Sequence, residues 1–129
     1  MATIKRFEVI EGWKKPRELT REVYRHSKTG AFSRDFGLRD QMRRAAVSVM
    51  SNMAEGFERG GTKEFLQFLA IAKGSVGELE AQIYVALDQA YINDDEFVLL
   101  QRLAGSTKRL IGGLINYLRK SGLKGVKYR

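Results

Sequence analysis

The sequence contains no cysteine and only one proline and one histidine in 129 residues. The absence of cysteine excludes a disulfide framework and thiolate metal sites. No apolar run approaches the roughly 20 residues needed to span a bilayer. The first six residues, 1–6, lack the apolar region of a secretory signal. We therefore predict a one-domain cytoplasmic protein without membrane contact.

The sequence also lacks the residue groups that most enzymes need. It offers no strong nucleophile–base pair, no metal-ligand cluster and no phosphate-binding loop. An enzyme that uses Arg44, Glu55 or Glu78 is therefore disfavoured. We predict that the protein is not an enzyme and binds no cofactor or metal.

Acidic residues are missing from one end of the chain. The net charge is +8, and residues 101–129 contain eight basic side chains and no acidic one. Residues 61–100 are instead acidic, with seven acidic and two basic side chains. A basic segment without neutralising acids can attract polyanions, although it can also be a solvated surface.

Apolar residues recur at helical spacing along most of the chain, and no sustained alternation predicts a strand. The pattern predicts four helices over about 14–28, 38–58, 62–91 and 94–121. Short connections between amphipathic helices are typical of an antiparallel up-down-up-down four-helix bundle. Residues 1–122 would form this all-α bundle, and 123–129 a basic flexible tail.

Several single residues carry further expectations about the bundle. Pro16 is expected to kink or interrupt the start of the first helix. Phe32 and Phe36 are expected to plug the end of the core from a loop over 31–37. Gly74 and Gly77 lie inside the third helix, where each costs about 1 kcal/mol relative to alanine. We expect them to permit close approach of a neighbouring helix.

A line of polar side chains runs beside the apolar face of the second helix. We call it the polar seam, and it comprises Gln41, Arg44, Ser48, Asn52, Glu55 and Arg59, continued on the third helix by Ser75 and Glu78. Groups beside a core need hydrogen-bond partners. The pattern favours a structural seam that sets the register of helices or subunits. The alternative is a binding or catalytic site.

Basic side chains that avoid this seam are the candidates for nucleic-acid binding. Arg39 and Arg43 fall on the outer side of the second helix, and Arg102, Arg109 and Lys120 lie opposite the apolar face of the fourth. The tail adds Lys124, Lys127 and Arg129. No base-reading motif is visible, so binding would depend little on base sequence.

Three segments resemble a known family: residues 41–48, 52–57 and 65–80. Their combined motif is Gln-x-x-Arg-Ala-x-x-Ser-x-x-x-Asn-x-Ala-Glu-Gly, followed by Ala-x-Gly-Ser-x-x-Glu. It resembles that of the bacterial four-helix-bundle proteins encoded in intervening sequences of 23S ribosomal RNA genes. Pro16 departs from the family pattern.

The resemblance implies an antiparallel bundle that assembles into a ring-like homopentamer without enzyme activity. It also implies kinship with the accessory proteins of diversity-generating retroelements, which bind nucleic acid and a reverse transcriptase. Two hypotheses remain. The protein is an oligomer that binds RNA or DNA through basic surfaces, or it is a structural or protein-binding oligomeric adaptor with no nucleic-acid role.

Overall fold

Five helices and no strand make up residues 11–123, the part of the backbone that the computed structural model describes; side chains are described for residues 13–120. The helices are α1 (Glu11–His26), α2 (Gly30–Arg34), α3 (Phe36–Glu58), α4 (Thr62–Asp88) and α5 (Asp94–Leu123). The predicted all-α class is confirmed. Its four long helices match the four predicted ones, while the short α2 occupies part of the predicted loop.

The four long helices pack around one core. Helix α3 packs against α4, α4 against α5, α5 against α1 and α1 against α3, while α2 lies against α3. The apolar stripe predicted for α3 faces this core: Met42, Ala45, Ala46, Val49 and Met53 are all buried. Burial of such a stripe is the main source of stability for a helix in a bundle.

The expected interruption at Pro16 was wrong, because α1 begins at Glu11 and continues through the proline. A proline removes one backbone donor and crowds the carbonyl one turn earlier. Pro16 is the sixth residue of α1, beyond the first four amides that have no helical partner, so the helix continues with one backbone hydrogen bond fewer. Its own carbonyl accepts a hydrogen bond of 2.8 Å from Thr20 Oγ1, and its ring is buried.

The end of α4 also differs from the prediction, since the helix stops at Asp88 rather than near residue 91. Ala90 adopts a left-handed backbone with φ of 59°. Its amide donates to Leu87 O at 2.9 Å, and the Tyr91 amide donates to Ala86 O at 2.9 Å. This pair of bonds is a Schellman C-cap, which glycine usually supplies. Apolar periodicity does not reveal such a cap when alanine occupies the position.

The α4–α5 connection is fixed to the start of α3. Tyr91 donates its hydroxyl to Asp35 Oδ2 at 2.9 Å, and its ring stacks on Phe32 with centroids 5.2 Å apart. Asp35 also caps α3 by accepting from the Leu38 amide at 3.1 Å. The hydrogen bond to Asp35 raises the pKa of Tyr91. These contacts close one end of the bundle.

Phe32 is buried in the core as predicted, but Phe36 is 63% exposed, so the expectation that both plug the core was wrong for Phe36. Phe36 is the first residue of α3, and its ring turns outward beneath the guanidinium of Arg39, 4.8 Å from the ring centroid. The Phe32–Tyr91 stack already fills the end of the core.

The close approach expected at Gly74 and Gly77 occurs elsewhere. No atom of a neighbouring element lies within 4 Å of a Cβ built at either glycine. At Gly56, by contrast, a Cβ would lie 2.8 Å from Phe68 Cβ and 2.9 Å from Phe65 Cδ1. Gly56 is therefore the glycine that brings α3 against α4.

Candidate nucleic-acid interface and polar seam

The outer face of α5 presents the predicted basic side chains to solvent. Arg102, Arg109 and Lys120 are all exposed. Arg109 Nη2 donates to Ser106 Oγ at 3.2 Å, an exposed contact that leaves most of its guanidinium donors available. The three predicted residues of the tail, Lys124, Lys127 and Arg129, lie outside the described residues.

The basic face of α5 is preceded by an acidic first turn, which is stabilised as a helix start. Asn93 Oδ1 accepts from the Glu96 amide at 2.8 Å, and Glu96 Oε1 accepts from the Asn93 amide at 2.8 Å. This is a reciprocal capping box. Asp94, Asp95 and Glu96 occupy the first turn, where the positive end of the helix dipole favours them. No acidic residue follows Glu96 in the sequence.

Arg39 and Arg43 are placed differently from the solvent-facing position that was expected. Arg39 is half-buried, and it donates to Asp40 Oδ1 at 2.8 Å and to Ser33 O at 3.0 Å. The bond from Arg39 lowers the pKa of Asp40. Sequence periodicity places a side chain on a helix face but does not show which neighbouring segment will cover it.

Arg43 joins α3 to the C-terminal end of α1. Its Nε donates to Ser27 Oγ at 2.9 Å and its Nη2 to Ser27 O at 3.2 Å. The guanidinium also lies 4.6 Å from the centroid of the Tyr24 ring. A cation at a helix C-terminus stabilises the orphan carbonyls there. Arg43 therefore has a structural role that the sequence did not indicate.

Three members of the polar seam form one hydrogen-bonded group between α3 and α4. Asn52 Nδ2 donates to Ser48 O at 2.8 Å and to Ser48 Oγ at 3.0 Å. The hydroxyls of Ser48 and Ser75 lie 3.0 Å apart across the helix pair. All three side chains are half-buried. This group links the two helices at their middle.

The rest of the seam is more open. Gln41, Arg44 and Glu78 are exposed, and with Ser48 and Ser75 they line a shallow pocket of about 380 Å³ between α3 and α4. Glu55 and Arg59 form a separate surface ion pair of 2.9 Å, and the Arg59 guanidinium lies 5.3 Å from the Phe68 ring centroid. The seam is thus a central hydrogen-bonded group with charged ends.

Exposed apolar side chains lie on the same two helices as the seam. Val47 on α3 and Ile71 and Val85 on α4 are 40%, 52% and 44% exposed. Because these residues fall outside the core of the single chain, the α3–α4 face combines exposed apolar groups with a polar centre. Such a mixture is typical of protein interfaces.

The one histidine lies between two carboxylates, a position that its sequence context did not reveal. His26 Nε2 is 3.2 Å from Glu22 Oε1, and Nδ1 is 3.2 Å from Glu96 Oε2. The side chain is 7% exposed, and its contact with Glu96 links α1 to α5. The arrangement is that of an interhelical contact.

Metal-binding and membrane-spanning features are both missing from the described residues. These residues contain no group of three or more His, Cys, Asp or Glu side chains placed to hold a metal ion. Within the same part of the chain, no helix has a stretch long and apolar enough to cross a membrane.

Comparison with known proteins agrees with the resemblance seen in the sequence. Residues 8–113 match the sequence model of the 23S rRNA-intervening sequence protein family. A crystal structure from Bacteroides thetaiotaomicron, a protein of unknown function from the S23 ribosomal protein family, is similar in fold, with a TM-score of 0.73 and 18% sequence identity. The alignment covers 81% of this chain and 97% of that one. No curated protein matches the sequence significantly.

Proposed function

The chain belongs to the 23S rRNA-intervening sequence protein family, and we propose that it is a non-enzymatic, oligomeric bundle protein that binds RNA or DNA through basic surfaces. The observation that carries the proposal is the outer face of α5, where Arg102, Arg109 and Lys120 are exposed. No acid after Glu96 in the sequence neutralises them.

Assembly would multiply the attraction of this surface for polyanions. A net charge of +8 on each chain is repeated in every subunit of an oligomer. Phosphates that pair with these cations release condensed counterions, which supplies affinity independent of base sequence. A protein of this kind would bind with little sequence preference, since its exposed basic groups would contact the backbone rather than base edges.

The subunit that we propose is an antiparallel up-down-up-down four-helix bundle that assembles into a ring-like homopentamer. The exposed Val47, Ile71 and Val85 of the α3–α4 face support burial against another copy. The number five is proposed from the family resemblance alone. Light scattering tests it directly, because a pentamer has five times the 14.7 kDa mass of the chain.

The proposed lack of enzyme activity rests on the residue types present and on the contacts of the one histidine. The sequence has no cysteine and a single histidine, and that histidine is held between Glu22 and Glu96. The sequence therefore offers no strong nucleophile–base pair of the kind that many enzymes use. We also propose a cytoplasmic location, where proteins that meet RNA or DNA in bacteria reside.

A salt titration of binding tests the nucleic-acid role. Fluorescently labelled single-stranded RNA and duplex DNA of several unrelated sequences would be titrated with the protein, and anisotropy measured over a series of salt concentrations. The proposal predicts a steep linear fall of log affinity with log salt and similar affinities for unrelated sequences. Absent binding, or binding that salt does not change, would contradict it.

Paired variants locate the interface within the basic residues. Arg102→Ala with Arg109→Ala removes two cations from α5, and a second variant removes the three basic side chains of the tail, Lys124, Lys127 and Arg129. The salt slope should fall by about 0.7 to 0.9 for every phosphate that a variant no longer binds. If both variants keep the wild-type slope while fold and oligomer persist, the predicted surface does not bind nucleic acid.

The second candidate function is a structural or protein-binding adaptor, and the exposed apolar side chains of the α3–α4 face favour it. Purification of the tagged protein from its native cell after nuclease treatment separates the two. Protein partners that remain bound, with no nucleic acid in an untreated parallel sample, would favour the adaptor. Nucleic acid in the untreated sample would favour the leading proposal.

A further inference from the structure

We propose that the groove between α4 and α5 holds the sugar–phosphate backbone of the bound nucleic acid. This inference rests on the proposed function and assigns a specific site to it. The groove has a volume of about 540 Å³, and its lining combines glycines with the basic side chains of Lys73, Lys108 and Arg119. None of these three cations belongs to the residues that the sequence predicted to bind.

The glycines of the groove have no structural explanation within the described chain. Gly74 and Gly77 line it from α4, and Gly112 lines it from α5. No atom of a neighbouring element lies within 4 Å of a Cβ built at any of the three. Glycine inside a helix is unfavourable relative to alanine. The space that these residues leave is therefore available to something outside the chain.

The charge of the groove indicates which kind of molecule fits. Lys73 and Arg119 are exposed, while Lys108 Nζ lies 3.1 Å from Glu80 Oε1 in an ion pair. An apolar helix from another subunit would desolvate the ammonium of Lys73 and the guanidinium of Arg119 without pairing them. A phosphodiester chain would pair with both, and arginine is well suited to phosphate oxygens.

The groove is continuous with the basic face of α5. At 100° per residue, Lys108, Gly112 and Arg119 fall within about 40° of one another. Arg102, Arg109 and Lys120 lie about 90° further around the same helix. A strand lying in the groove would therefore pass along one side of these three exposed cations. The glycine amides are used inside their helices, so the glycines contribute room and the side chains contribute the contacts.

Two neighbouring glycines on α5 allow a matched test. Gly112 lines the groove and the exposed Gly113 does not, yet a Cβ at either position meets no atom within 4 Å. Gly112→Leu should fill the groove, weaken binding of a labelled RNA or DNA and lower its salt slope. Gly113→Leu, which places a leucine beside the cations of the outer face of α5 and not in the groove, should weaken binding less than Gly112→Leu does. Because leucine is the better helix former, neither variant should lower the melting temperature.

A charge-matched pair of variants provides the second measurement, which does not depend on filling the groove. Lys73→Ala with Arg119→Ala should reduce the salt slope by about 1.4 to 1.8, the value for two fewer bound phosphates. Arg17→Ala with Arg21→Ala removes two exposed cations from α1, which does not line the groove, and should leave the slope unchanged.

The outcomes are distinguishable. If the wild type binds and both groove variants bind like it, the groove inference is wrong while the proposed function stands. If Gly112→Leu disrupts the oligomer in light scattering and Lys73→Ala with Arg119→Ala keeps the wild-type slope, the groove is a subunit contact and the inference is wrong. If the wild type binds neither RNA nor DNA, both proposals are wrong. The inference is supported only if the salt slope is reduced in both groove variants.

Discussion

Replacing Gly56 by alanine should destabilise the bundle, although the same change at most helical glycines stabilises a protein. Gly56 is buried near the end of α3, where α4 crosses it. A Cβ added there would lie 2.8 Å from Phe68 Cβ and 3.4 Å from Phe65 Cα. Neither atom can rotate away, because the position of each is fixed by the backbone of α4. The two helices must therefore separate.

The magnitude follows from two opposing effects. Alanine in place of glycine gains about 1 kcal/mol of helix propensity. Overpacking of a well-packed core typically costs about 1 to 3 kcal/mol. We expect the upper part of this range, because the contact is between backbone-fixed atoms and because the nearby Phe65 ring, 2.9 Å from the added Cβ, is itself buried. The net loss should be about 1 to 2 kcal/mol.

Gly113→Ala is the matched control, since it shares the propensity gain and has no neighbouring atom within 4 Å. Urea unfolding followed by circular dichroism at equal protein concentration would compare the two variants, because the stability of an oligomer depends on concentration. Gly113→Ala should unfold at higher urea than the wild type and Gly56→Ala at lower urea. Equal stability of the two variants would refute the close packing inferred at Gly56.

Three further predictions concern single residues. Ala90→Gly should stabilise the protein by about 0.5 to 1 kcal/mol in thermal unfolding, because glycine relieves the left-handed backbone of the α4 cap. The greater entropy of glycine in the unfolded chain offsets part of this gain. A lower melting temperature would contradict the prediction. The hydrogen bond from Arg25 lowers the pKa of Glu22 from 4.5, so this contribution to stability is present above pH 4.5 and is lost as the pH falls further. The melting temperature of Glu22→Gln should therefore lie below that of the wild type at pH 7 and converge on it as the pH falls below 4.5 and through the lowered pKa; a constant difference would contradict the assignment. Asn52→Ala should cost about 1 kcal/mol more than Ser51→Ala or weaken assembly, since only Asn52 gives up two hydrogen bonds to the preceding turn; unchanged stability and assembly with abolished binding would instead make the polar seam a site.

The helices and the core could be predicted because their signal is local and repeated. The apolar side chains of α3, such as Met42, Val49 and Met53, recur at helical spacing, and burial of that face decides the structure. The acidic turn after Asn93 lies at the start of α5 for a similarly local reason, namely the helix dipole. The short α2 has five residues, too few to show a period.

The contacts between elements could not be predicted, because they depend on which segment packs against which. Arg43 and Arg39 were expected to face solvent, yet one caps the end of α1 and the other reaches the carbonyl of Ser33. Prediction from sequence is limited in the same way for the glycines. From sequence, Gly74 looked like a close-packing residue, whereas the structure assigns that role to Gly56. Sequence spacing gives the direction of a side chain on its own helix, but it does not identify the segment that the side chain contacts.

Sequencing of nucleic acid that co-purifies with the native oligomer tests most directly whether this family member binds nucleic acid in the cell. The tagged protein would be isolated at low salt, and half of the sample washed at high salt before extraction. We predict RNA or DNA above the level of a mock purification in the first half, diverse in sequence, and its removal from the second. Recovery no greater than the mock purification, from a protein that is folded and oligomeric, would contradict nucleic-acid binding.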